Sequence, residues 1–246
     1  MVRPRRRRLR SLPPGAPADA LAGGAASYAH PHSAETAAVS DAEEADINTL
    51  FAEYDAAQLE LSPLSKAYRG IRDGDYGEWG DFSDAAAVAD QELLQSTAQR
   101  MRDTYDLAEL SDQDALSYRL FDAMAQRSAD RFKFRNYGYI FDQMNGAQSQ
   151  LPAFLINIHR ISDVSDAAAY VSRLEKLGPA IDQLIAETRS QADAGVMPPD
   201  WVYPYVISDI ENVLNAGDEN AILEDFRSKV SRVMPSDNAA NTADAV

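Results

Sequence analysis

The sequence predicts an all-α fold, a multi-helix array over residues 42–234, because apolar side chains there recur at three- and four-residue steps. No segment alternates convincingly as a half-buried strand would, and the periodic runs are punctuated by serines, glycines and prolines at helix-boundary positions. Residues 1–41 and 235–246 are rich in Ala, Pro, Asp, Gly and Ser without apolar period, and are expected to be disordered tails.

The first helix is expected to begin near Ala42, with Ile47, Leu50, Phe51 and Tyr54 on one face and Pro63 closing it. Gly70, Gly74, Gly77 and Gly80 then make 62–82 a loop anchored by Tyr68, Tyr76 and Trp79. Ser83 caps a second helix to about Asp106, with Ala87, Leu94, Ala98, Met101 and Tyr105 facing inward. Ser111 opens a third helix to about Arg131, where Asp114 completes the capping pattern. Leu116, Leu120 and Met124 supply its apolar face, and Arg127 marks where that face meets water.

Residues 133–150 read as an irregular packed segment, and Pro152 suits the first turn of a short helix through Ile158. The strongest helix is 166–194, capped by Ser165, striped by Tyr170, Leu174, Leu177, Ile181 and Leu184, and ended by Gly195 in a left-handed cap. Gly178-Pro179 lies in its middle, where the proline removes a backbone hydrogen bond and favours a kink. Two helices follow, 200–215 with Val202, Val206, Ile210 and Val213, and 218 to about 233 with Ile222, Phe226 and Val230.

Composition excludes several classes of chemistry. The absence of cysteine removes disulfides, thiolate zinc sites and a cysteine nucleophile. The formal charge of -16 includes six arginines between Arg3 and Arg10, so the remaining 17 basic residues face 39 acids, and a body carrying -22 repels phosphate. Nucleic-acid binding by the folded part is therefore not expected. The arginine run itself has the density of an anion-binding patch but no aromatic side chains for base stacking. No apolar run approaches a membrane span, and the basic N-terminus leads into proline-punctuated sequence rather than the apolar core of an export signal.

No catalytic template fits the chain. A zinc-protease helix needs two histidines one turn apart with a neighbouring glutamate. The three histidines are His30 and His32, flanking a proline, and His159, which follows Leu155-Ile-Asn-Ile158 and reads as a hydrogen-bonded structural residue. The acidic loop Asp73-Gly-Asp-Tyr-Gly-Glu78 lacks an EF-hand register and reads as a solvated turn. Tyr137, Tyr139, Phe141, Met144 and Phe154 form an aromatic-rich band interleaved with amides, suited to core packing or to a binding cleft.

The order of Leu50-Phe-Ala-Glu-Tyr54, Ser62-Pro63, Gly80-Asp-Phe-Ser-Asp84, Asp142-Gln-Met-Asn145 before Leu151-Pro152, Asp166 with Tyr170 and Arg173-Leu174, and Gly195-Val-Met-Pro-Pro199 resembles the bacterial family 885 of domains of unknown function. That resemblance implies the N-terminal helical subdomain of a larger zinc-metallopeptidase-like fold, roofing a long cleft, with the zinc helix in a C-terminal half that these residues do not match. It implies relatives that look exported. No catalytic or metal-binding residue carries over and no cofactor is expected in this chain, zinc belonging only to that other half. Asn145, Gln148 and Arg173 are the cleft-facing candidates, a buried salt bridge being the other role for Arg173. The partners expected are a missing C-terminal half or a peptide. The competing readings are an autonomous acidic helical interaction module and a tether through the arginines.

Overall fold

A computed structural model describes residues 46–233, which form eight α-helices and three short 3-10 turns, with no strand among the described residues. The expected tails, the arginine run, His30, His32 and the start of the first helix near Ala42 lie outside the described residues.

Helix α1 (Ile47–Glu60) is capped by the Asp46 carboxylate, which accepts from the Asn48 amide at 3.0 Å. Pro63 does not sit in the loop that was expected. It is the first residue of a short helix α2 (Pro63–Tyr68) capped by the Ser62 hydroxyl, because a residue without an N–H suits a helical position whose donor would go unused. Helix α3 (Asp84–Thr104) begins at the expected Ser83 cap, and Leu94, Ala98, Met101 and the following Tyr105 are buried while Ala87 is exposed.

Helix α4 (Asp112–Phe132) starts as the sequence implies, with Ser111 accepting from the Asp114 amide. Its buried face is a different one. Leu116, Leu120 and Met124 are 48%, 60% and 38% exposed, whereas Ala115, Phe121 and Ala125 are buried and Tyr118 packs beside them. The two stripes lie one residue, or about 100°, apart. Alanines carry little weight in a sequence pattern, yet here they let α4 approach α1 and α3 closely enough for Phe121 to meet Phe51 and Tyr54, each with ring centroids 5.1 Å away. Phe121→Ala is expected to cost about 3–5 kcal/mol. Leu120→Gln is expected to move stability by under ~0.5 kcal/mol. Urea unfolding of both variants checks the assignment, and equal losses would mean that the helix is rotated.

Helix α5 (Ala147–Asn157) begins ahead of Pro152 rather than at it. The proline sits one turn in, where the hydrogen bond its ring forgoes is to the carbonyl of Gln148. Helix α6 (Val164–Asp193) is capped by Asp163, not Ser165: Asp163 Oδ1 accepts from the Asp166 amide at 2.9 Å and from the Ser165 hydroxyl at 2.7 Å. The helix runs unbroken through Gly178-Pro179 and ends before Gly195, whose φ of +83° is the expected left-handed cap. A 3-10 turn at 200–202 leads into α7 (Tyr203–Asn215), and α8 (Ala221–Val233) buries Ile222, Phe226 and Val230 as the sequence predicts.

These helices close two cores. Helices α1, α3 and α4 enclose Ile47, Leu50, Leu94, Met101 and Phe121. Helices α2, α5, α6 and α8, with the 69–83 loop, enclose Trp79, Phe154, Leu155, Tyr170 and Phe226. Side chains of α6 fix the start of α3 to this second core: Gln183 Oε1 accepts from the Phe82 amide at 3.0 Å and Glu187 Oε1 from the Asp84 amide at 3.1 Å. No helix of the described residues is long and apolar enough to cross a membrane.

Candidate functional site

Arg173, a third of the way along α6 on its buried face, is, like His159, fully buried. Among the described residues no carboxylate pairs with it, so the expected salt bridge is replaced by something else. Its guanidinium lies 4.8 Å from the Phe154 ring centroid and 5.1 Å from that of Tyr76, donates from Nε to the Glu78 carbonyl at 3.1 Å, and donates from Nη1 to His159 Nδ1 at 2.7 Å. Nη2 makes no hydrogen bond. Because arginine can only donate, Nδ1 of His159 must be the bare nitrogen, which leaves Nε2 to donate to the Asp166 carbonyl at 3.1 Å. Burial, with the cations of Arg173 and Lys229 beside it, pushes His159 down to about 3, and burial lowers Arg173 to about 10. The histidine is thus neutral and has both ring nitrogens engaged.

The acidic loop is structural as well. Lys66, almost fully buried, draws in Glu60 at 2.9 Å and Asp73 and Asp75 at 3.0 Å each, and these carboxylates raise its pKa. Glu78 pairs with Lys176 on α6. Among the described residues, no group of three or more His, Cys, Asp or Glu side chains is placed to hold a metal ion. A zinc centre of the kind implied by the family resemblance therefore does not fit these residues.

The candidate site is instead an open apolar groove of about 260 Å³. Its floor is Ile181 and Ile185 of α6, its walls are Val206 and Ile210 of α7 with the Val196-Met-Pro198 turn, and its rim includes Tyr139 and Phe141. The left-handed Gly195 ends α6, and α7, which follows, packs against α5. Helix α7 has an apolar arc wider than the core it covers. Val202 and Val206 are buried, yet the adjacent stripe Tyr203, Ile207, Ile210 and Leu214 is exposed, with Ile207 at 54% and Leu214 at 76%.

None of the three sequence-derived candidates lines this groove, but two of them bond to Asp142, which follows the lining residues Ile140 and Phe141 in the chain. The exposed Asn145 donates its backbone N–H to Asp142 Oδ1 at 2.7 Å. Gln148 is buried, and its Nε2 donates to the Asp142 carbonyl at 2.5 Å and to Asp209 Oδ2 of α7 at 3.3 Å, while Oε1 has no partner. Gly146 is required between them, since a Cβ there would lie 2.4 Å from the backbone nitrogen of Asp142 and 2.8 Å from its carbonyl oxygen. Arg173 shares none of these partners. The aromatic band divides: Phe154 enters the core, Phe141 and Tyr139 line the groove, and Tyr137 and Met144 are exposed. The exposed α7 stripe was missed in the sequence because a single stripe, 202/206/210/213, accounted for the helix; the 203/207/210/214 spacing was its available signal.

Residues 63–246 match the family described as "Bacterial protein of unknown function (DUF885)". No match is found among curated proteins. The fold is similar to that in "The crystal structure of the putative lipoprotein from Colwellia psychrerythraea", with a TM-score of 0.67 at 15% identity. The match covers 79% of this chain and 36% of that one, so this chain spans little more than a third of the length of the protein it resembles.

Proposed function

The chain belongs to the bacterial family of unknown function DUF885, and from that premise we propose that it is the non-catalytic N-terminal helical portion of a metallopeptidase-like protein. In this reading its task is to present one wall of a cleft, while the hydrolytic residues belong to a part of the protein outside these 246 residues. The observation that carries it is the exposed apolar stripe of α7 beside the groove, a helix face patterned for burial with nothing among the described residues covering it. The greater length of the structural neighbour supplies room for the covering part. Asn145 and Gln148, which bond to Asp142 next to the groove-lining Phe141, are the proposed cleft residues, whereas the buried Arg173 is a core residue apart from them.

The purified chain is expected to bind a hydrophobic dye or to self-associate. Addition of the C-terminal portion of a full-length family member should suppress both. The chain alone should hydrolyse no peptide substrate. A dye-silent monomer would favour an autonomous acidic helical module, the reading that its two closed cores support. One tightly held zinc per chain together with hydrolysis would overturn the assignment.

A further inference from the structure

We infer that the element docking on α7 is a basic amphipathic helix, an inference that rests on the cleft-wall reading above and adds the chemistry of what it receives. Charge is segregated along this part of the chain. From residue 190 to residue 226 there is no lysine, arginine or histidine, while Asp193, Asp200, Asp209, Glu211, Asp218 and Glu219 are among the eight acids of the segment. The opposite rim, residues 136–158, also lacks any basic residue and contributes Asp142. The α7 side and the 136–158 rim therefore carry acids without a base, and the exposed Arg189 of the floor helix, next to the groove-lining Thr188, is the cation that adjoins this otherwise acidic surround.

The shape selects a helix. The exposed residues of α7 are spaced i, i+4, i+7 and i+11 from Tyr203 to Leu214, a straight ridge beside a trough, which is the counterpart of another helix's apolar face. An acidic or neutral helix could satisfy the ridge but would leave the carboxylates facing like charge or a desolvated rim. Lysines and arginines flanking an apolar stripe would satisfy both, their aliphatic stems covering apolar surface while their heads reach the acids. A second copy of this chain is disfavoured on the same ground, because it would set two acidic rims together.

Trp201 provides a reporter at the site. It is exposed at the start of α7, whereas the other tryptophan, Trp79, is buried with its indole N–H on the Arg173 carbonyl. Two synthetic helical peptides of about 18 residues, with the same leucine stripe and either lysine or glutamate at every other position, are titrated into the full chain. Binding is read from the emission and acrylamide quenching of Trp201. The lysine peptide is expected to bind at least ~10-fold more tightly than the glutamate peptide, and to weaken with added salt. Ile207→Lys should abolish its binding, and the double change Asp200→Lys with Glu211→Lys should erase the preference. All three positions are exposed, and circular dichroism verifies that the variants fold.

Equal binding of the two peptides would overturn the inference. So would lysine-peptide binding that survives Ile207→Lys, since that is attraction to the acidic surface without the groove. A chain that dimerises through α7 and takes up neither peptide would also overturn it. If the C-terminal portion of a relative quenches dye binding while the lysine peptide does not bind, this inference fails and the cleft-wall reading stands. If the peptide binds and that portion does not, the cleft-wall reading is the one that fails.

Discussion

Arg173→Ala is expected to remove about 3–5 kcal/mol of stability, a large part of the ~5–15 kcal/mol of a typical domain. The truncation deletes the donors to His159 Nδ1 and the Glu78 carbonyl, strands both acceptors away from water, and opens a cavity between Tyr76, Trp79 and Phe154. Arg173→Met separates these contributions, because it refills the volume and still leaves the acceptors unpaired. Its loss should be smaller but still above ~1 kcal/mol. Urea denaturation measures both, and a loss below ~1 kcal/mol for the alanine variant would show that the guanidinium is not integral to the core.

The second large effect is acid sensitivity in a window set by His159. Its folded-state pKa is depressed from 6.5 to about 3, so below pH 6.5 the unfolded chain takes up a proton that the folded chain refuses. Stability is therefore fully present above pH 6.5 and declines as pH falls, by about 1.4 kcal/mol between pH 7.5 and 5.5. Burial is the main cause of the refusal, and a proton on Nδ1 would also point at the Arg173 donor 2.7 Å away. Asp73, Asp84 and Asp163 also have lowered pKa values, through their bonds to Lys66, Arg135 and Ser165, but they act only as pH falls below the ordinary carboxylate range. His159→Gln keeps an acceptor for Arg173 and cannot titrate. It should flatten the profile from pH 7.5 to 5.5, and a wild type already flat there would refute the assignment.

Where local chemistry decides, the sequence was legible. Ser83, Ser111 and Gly195 fix three helix ends through bonds within a few residues, and α8 has one apolar stripe to choose from. Where two stripes compete, the pattern misleads. In α4 three large side chains outweigh two alanines on the page, but in the fold the alanines win because they permit close helix approach. The same ambiguity hid the exposed ridge of α7. The family resemblance offered Gln148 as a cleft residue and left its bonds to Asp142 and to Asp209, 61 positions away, to the fold. The surroundings of Arg173 were beyond reach for that reason, since Glu78 lies 95 positions away and no periodicity encodes it. The asymmetry between a buried arginine and a neutral histidine is a property of tertiary closure.

Lys229 has a consequence in time rather than in space. Its ammonium, tied to Asp225 at 2.7 Å, donates to the carbonyls of Leu155, Ile156 and His159 at 2.8 Å each, so α8 supplies the donors that the end of α5 cannot supply for itself. Those carbonyls precede their donor by 70 to 74 residues. During synthesis, at about 5–20 residues per second, the end of α5 waits for several seconds with only water to bond to, and more until residue 229 clears the ribosome. The second core is thus completed only when α8, the last helix of the described residues, emerges, and a nascent chain stalled before α8 exposes a half-made centre to chaperones and proteases.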